Sequence, residues 1–330
     1  MNYAHAIRSI VGEQDGDEVG ELGADEAGQL FAAMLDGGLP ELELGALLVA
    51  LGTQPLSQQA MLGFDAALAG RVLSLPLPCG GEQRPVVIPS YGGALRQTNF
   101  TPLLALLLQR LHVPVLVHGT LEGHGRVASA YTFRELGVLP CTTLSQARNA
   151  LEQDKLAFVP TGVLAPGLAQ LLSLRSRTGI AGVPLVMTGL IDPFRGAGLR
   201  IVTADSAQRL QELRDLLLAT GATALVSRGT EGEAFVNPHR RPRIEHVSDG
   251  VARVLFEQEH AHDDIPAAIE AAIGPRATAD LTRRMLAGAV QLPLPILNQV
   301  ACCLYAAGHA ADLNEAKAIV AVDIRGLAAA

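Results

Sequence analysis

The pattern of apolar and polar positions changes character at about residue 70. Before that point apolar residues recur at helical spacing. Asp25 is the expected N-cap of a helix running through Met34, with Leu30, Phe31, Met34 and Leu35 on its apolar face, and Asp36-Gly37-Gly38 ends it. Pro40 opens a second helix carrying Leu42, Leu44, Leu47, Leu48 and Leu51. Ser57 caps a third, through Met61, Phe64 and Leu68 to Gly70. The stretch from Leu73 to Pro89, with Pro76, Pro78, Gly80, Gly81 and Pro85, reads as a linker. Beyond it, β-branched runs alternate with helical ones. Strands are expected at Val86–Ile88, Val113–His118, Ala157–Val159, Leu199–Val202 and Ala224–Ser227. Helices are expected at Thr101–Leu111, Ala128–Leu136, Ala165–Arg177 and Ser206–Thr220. Further helices follow at Ala267–Ile273, Ala279–Gly288, Ile296–Ala307 and Leu313–Ala321. This alternation predicts an α/β sheet covered on both faces, preceded by a small helical domain. No repeat of 20–50 residues is evident.

Composition narrows the class. Of 330 residues, 49% are hydrophobic, 18% charged and 4% aromatic, with no Trp, so a disordered chain is excluded and the core is aliphatic. No apolar run reaches the ~18 residues of a membrane span, and the acidic first twenty residues lack the basic start of a secretion signal. Cys79, Cys141, Cys302 and Cys303 show no paired-ligand spacing, which fits reduced thiols and a cytoplasmic protein. His260-Ala261-His262-Asp263-Asp264 has ligand-type residues but no accompanying third cluster, so it reads as a solvated loop, and no metal or cofactor is expected. There is no P-loop motif.

The net charge of −8 is unevenly placed. Residues 1–70 carry −10 and 244–330 carry −5, whereas 71–170 carry +3 and 171–243 carry +4. All ten basic residues of 171–243 are arginines, whose planar forks suit phosphate. Arg175 and Arg177 lie near a predicted helix end, and Arg240, Arg241 and Arg243 in a Pro-broken loop. With Arg96 and Arg228 they are the candidate contacts to a polyanion.

The densest motif is Ile88-Pro89-Ser90-Tyr91-Gly92-Gly93-Ala94, followed by Thr98-Asn99-Phe100-Thr101. A strand, a glycine pair and a Thr-capped helix can form a phosphate cradle. Next come Val117-His118-Gly119, then Arg126, Ser129-Ala130 and Glu135-Leu136-Gly137. This order resembles anthranilate phosphoribosyltransferase and its relatives of glycosyltransferase family 3. Those enzymes carry GTGGDG, N-x-S-T, KHGNR and a serine-rich turn in the same sequence. The resemblance covers almost the whole chain. It implies a small helical domain of residues 1–70 with a returning segment at about 166–190, through which the enzymes dimerise. It also implies an α/β domain of 71–165 and 191–330 around a central mixed sheet.

The departures fall on the chemistry. Ser90 and Tyr91 replace the opening Gly-Thr, Ala94 an Asp, Val117 a Lys, Thr120 an Asn, Leu121 an Arg and Tyr131 an Asp. Val127 and Ala128 stand where the serine turn supplies donors. The pair of carboxylates that holds Mg²⁺ falls by register on Ala234 and Phe235, with Glu231 and Glu233 as possible substitutes. What survives is a vestigial phosphate loop: Gly92, Gly93, Thr98, Asn99, His118, Gly119 and Ser129. Val87-Ile88-Pro89-Ser90-Tyr91, Gly229-Thr230-Glu231-Gly232-Glu233-Ala234 and Ala301-Cys302-Cys303-Leu304 look like the YbiB-type paralogues of these enzymes. That resemblance implies a homodimer binding DNA or RNA with little sequence preference along a basic groove, with no catalytic residues. The alternatives are a glycosyl or phosphoribosyl transferase with altered ligands, and a protein-interaction module.

Overall fold

The computed structural model describes residues 3–11, 22–53, 55–78, 83–123, 125–259 and 272–324. Cys79, the His260–Asp264 run and most of the Ala267–Ile273 expectation lie outside them. The chain forms two compact units: Met1–Ser74 with Thr161–Pro193, and Leu75–Pro160 with Phe194–Ala330. None of the helices in the described residues is long and apolar enough to cross a membrane.

The first unit is helical. Its helices Tyr3–Val11, Ala24–Leu35, Glu41–Thr53 and Gln58–Ala69 are joined by Pro166–Ser173, Arg175–Thr178 and Gly182–Thr188. Ser57 caps as expected, accepting from the Ala60 N–H at 3.2 Å. Asp25 does not cap: Gly23 occupies that position, and Asp25 sits in the first turn, where its charge faces the positive end of the helix dipole. The single helix expected over Ala165–Arg177 is two, meeting at Leu174. Phe31 and Phe64 pack with ring centres 4.9 Å apart in the core. Leu47, Leu48, Leu51 and Met34 are also buried, so most of the apolar face read from the sequence is interior. Among the large apolar residues of the Glu41–Thr53 helix, Leu42 and Val49 remain exposed, at 82% and 42%.

The second unit holds a seven-stranded sheet: β1 Val86–Ser90, β2 Val115–Gly119, β3 Leu156–Pro160, β4 Leu199–Ala204, β5 Ala224–Arg228, β6 Ile244–Ser248 and β7 Val251–Phe256. The order is β3-β2-β1-β4-β5-β6-β7. Strands β3 to β5 in that order pair parallel, and β6 and β7 are antiparallel additions. Val86, Ile88, Val115, Val117, Phe158, Ile201 and Leu225 form one core with helices Thr101–Arg110 and Leu294–Ala306. Helix Ala207–Thr220 packs on β4 and β5. Chain order reverses direction between β1 and β4, which in doubly wound sheets opens a crevice at the carboxyl ends of the strands. The segments after β1, β2 and β5 meet there.

Helices Ala24–Leu35 and Gln58–Ala69 approach so closely that a Cβ on Gly63 would lie 2.1 Å from the Ala24 carbonyl oxygen and 2.7 Å from the Gly28 nitrogen. An alanine in an open helix position gains up to ~1 kcal/mol over glycine. Here Gly63→Ala is expected instead to destabilise by ~1–3 kcal/mol, read as a lowered urea midpoint.

Candidate functional site

Ser90 ends β1, and the chain turns through Tyr91, Gly92 and Gly93 before the Thr101–Arg110 helix. Gly92 is required by contact. A Cβ there would sit 2.4 Å from the Glu231 carbonyl oxygen, in the turn that follows β5. The glycine turn and the 229–235 turn therefore lie backbone against backbone. Arg126 holds the second turn, its Nη1 donating to the Glu231 carbonyl oxygen at 2.7 Å.

Glu233 enters this junction from the β5 side and is 1% exposed. One carboxylate oxygen accepts the Gly93 N–H at 2.6 Å. The other accepts the Ser90 and Thr101 hydroxyls, each at 2.8 Å. Behind Ser90 stands a chain of donors. The Asn99 amide donates to the Ser129 oxygen at 2.7 Å, and the Ser129 and Ser90 oxygens are 2.6 Å apart. Ser129 also contributes a hydrogen bond that favours the Glu233 carboxylate. Asn99 also accepts the Thr101 N–H at 2.9 Å, which fixes its amide orientation. Burial raises the Glu233 pKa, opposed by these hydrogen bonds. Glu231 fills a second set of donors: it accepts the consecutive N–H groups of Leu95, Arg96 and Gln97 at 2.9, 2.9 and 3.3 Å.

The remaining vestigial residues gather around the same point. Gly119 pairs with Ser90 across β1 and β2. Thr98 is buried at 2% exposure. His118 is also buried, its Nδ1 lying 2.9 Å from the Tyr91 hydroxyl, and burial lowers its pKa to about 3. It is a neutral imidazole across the physiological range. Ala234 and Phe235 are core residues, Phe235 set edge-on to Phe100 at 5.8 Å. They supply no side-chain oxygen to a cation. Glu231 and Glu233 do not substitute, because both carboxylates are met by the positive ends of N–H and O–H groups. Such a donor set fits an anion and not Mg²⁺. No cluster of three potential metal ligands occurs among the described residues.

The arginines are dispersed. Arg175 and Arg177 lie in the helical unit, Arg177 at 3.9 Å from Glu41. Arg96 is exposed beside the glycine turn. Arg241 is mostly buried, paired with Glu259 at 2.5 Å and stacked 4.2 Å from the centre of the Phe256 ring. Its charge is neutralised internally, and it is withdrawn from the set of surface contacts. Arg240 is exposed, with its Nε donating to the Glu259 carbonyl oxygen. Arg228 and Arg243 do converge, with Arg214, on one groove of about 380 Å³ that Gln211, Glu245 and Gln258 also line. Glu245 is held between Arg214 at 2.8 Å and Arg243 at 2.7 Å. Sequence reasoning missed Arg214, which on an amphipathic helix has the signature of an ordinary solvated charge. It also missed the anchoring part of Glu231 and Glu233, whose donors are remote in sequence.

The buried imidazole has a pH signature. Unfolded His118 takes up a proton below pH 6.5, whereas the folded protein resists it until about 3. Stability from this source is full above 6.5 and falls as pH drops, at up to ~1.4 kcal/mol per pH unit. Glu233, with its raised pKa, acts in the opposite sense, stabilising as pH falls through its folded value toward 4.5. In urea unfolding between pH 6.5 and 4.5, His118→Gln is expected to remove the histidine's share of the decline.

Comparison with known proteins fits this geometry. No family model matches the chain. It is 35% identical over 322 residues to the uncharacterized protein YbiB of Escherichia coli K12, covering 97% of this chain and 99% of that one. It is 26% identical over 174 residues to the anthranilate phosphoribosyltransferase of Sphingopyxis alaskensis, about half of each chain at 53% and 52%. The crystal structure of anthranilate phosphoribosyltransferase from Thermus thermophilus superposes with a TM-score of 0.76 at 23% identity, over 98% of this chain and 95% of that one. A scaffold of the anthranilate phosphoribosyltransferase type, a glycine turn closed by its own glutamates and end-to-end similarity to the Escherichia coli protein lead to one assignment: the chain belongs to the YbiB family.

Proposed function

We propose that this protein is a non-catalytic nucleic-acid-binding member of that family, contacting the phosphates of DNA or RNA with little regard to sequence. The observation that carries the reading is the groove in the sheet-containing unit, where Arg214 comes from a helix, Arg228 from a strand and Arg243 from a loop. Glu245 lies between Arg214 and Arg243, and Asp215 is 3.7 Å from Arg214, so three arginines face two carboxylates and one positive charge is left over. The shortage of aromatic residues leaves no stacking platform for bases, so phosphate contacts dominate. Arg240 and Arg96 are supplementary contacts on the same unit. Against a working transferase stand the apolar Ala234 and Phe235 and the Glu233 carboxylate, which takes up the donors of the glycine turn. The intact Gly92-Gly93 and His118-Gly119 pairs favour that second reading.

Titration with a fluorescent oligonucleotide at stepped salt tests the proposal. Affinity is expected to fall by roughly 0.7–0.9 log units per decade of salt for each phosphate contacted. Replacing Arg228 and Arg243 together with Ala should flatten that slope by about 1.4–1.8 units for every sequence alike. Calorimetry with phosphoribosyl diphosphate and Mg²⁺ should give no binding heat. Heat with turnover of anthranilate, and no affinity for the oligonucleotide at low salt, would install the transferase reading instead.

The protein is further proposed to act as a homodimer through the helical unit. Leu42 and Val49 lie seven residues apart on one face of the Glu41–Thr53 helix and are exposed in the single chain. Sedimentation of the wild type should show a dimer at micromolar concentration, and Leu42→Glu with Val49→Glu should convert it to a folded monomer. A wild-type monomer overturns this part.

A further inference from the structure

The donors around Glu233 form a site that is complete without it. The Gly93 N–H and the Ser90 and Thr101 hydroxyls come from the β1 side, and they converge on two oxygens of a carboxylate delivered from the β5 side. Ser90 and Thr101 are 143 and 132 residues from Glu233 in sequence. All three donors are buried at the crevice where the sheet reverses its order, the place at which doubly wound folds receive their ligands. Nothing in this donor set distinguishes a carboxylate from a phosphate oxygen. The turn that delivers Glu233 has a backbone built for re-entry. Glu231 and Gly232 have φ of +53° and +83°, and Thr230 and Glu233 bond each other's backbone, 3.2 and 2.9 Å apart. Arg126 then fastens the turn at the Glu231 carbonyl.

We infer that Glu233 is a built-in ligand: its carboxylate occupies an oxyanion site of phosphate type, so that the native chain admits no phosphate-bearing small molecule there unless the 229–235 turn withdraws. The donors that a related scaffold would keep for an incoming anion are saturated within the fold. Buried donors left empty are costly, so an internal anion also lets the site stay organised with no ligand present. The inference is independent of the nucleic-acid reading, which concerns a separate groove on the same unit.

The test uses the full-length chain in a phosphate-free buffer, with inorganic phosphate as the probe and sodium chloride as the ionic-strength control. Wild type is expected to show no phosphate-specific rise in melting temperature and no saturable heat in calorimetry. Glu233→Ala removes the carboxyl and leaves the donors. It is expected to melt below wild type, to regain melting temperature with added phosphate, and to bind phosphate about tenfold or more tightly than wild type. The double variant Ser90→Ala with Glu233→Ala locates the effect, because it should lose that gain while the basic groove is untouched. If Glu233→Ala does not fold in buffer alone, phosphate must restore its circular dichroism. A folded Glu233→Ala without phosphate response, an unfolded one that phosphate does not rescue, or a wild type that binds equally well would each overturn the inference. Loss of oligonucleotide binding in the wild type would leave it standing.

Discussion

A carboxylate removed from water must have its lone pairs met, and the way Glu233 meets this requirement organises the centre of the sheet-containing unit. Its oxygens need donors from more than one direction. They are supplied by the end of β1, the glycine turn and the start of the following helix. The turn after β5 is thereby tied to the turn after β1 across the reversal of strand order. Gly92 permits the backbones to touch, and Arg126 closes the far side. The tie is covalently part of the chain, and the crevice is a structural joint.

The proposed nucleic-acid contacts lie outside the crevice. The neutral His118 and the apolar Ala234 and Phe235 leave no acid, base or cation ligand at the positions where the scaffold would otherwise present them. Beyond β5, the antiparallel hairpin and helix Ala207–Thr220 frame the arginine groove. Arg241 shows that arginine number alone misleads: beside Arg240 and two residues from Arg243, it is consumed by Glu259 and Phe256.

Much of the fold is legible in the sequence because its signals are local. The parallel strands β1 to β5 are short apolar runs with turn residues at their ends, and the helical head has strong 3.6-residue periodicity. The β6–β7 hairpin escapes that reading, since Glu245, His246 and Arg253 interrupt its apolar pattern. Asp249-Gly250, with φ of +51° and +71°, is the two-residue turn signal that could have revealed it. The leucines of the head are legible only in part. Periodicity marks Leu47, Leu48 and Leu51 as apolar but cannot say that the second visit of the chain, after Thr161, belongs to the same unit and adds helices to its core. The site divides likewise. Its glycine turn is visible as a motif, whereas the partner of that turn is an ordinary loop glutamate until tertiary structure brings Ser90 and Thr101 to it.

The row of side chains from Asn99 through Ser129 and Ser90 to Glu233 has a direction. An amide nitrogen donates and a carboxylate oxygen accepts, so Ser129 has a donor on one side and Ser90 an acceptor on the other. The row thus joins the turn after β5 to the start of the helix after β1 through polar side chains alone.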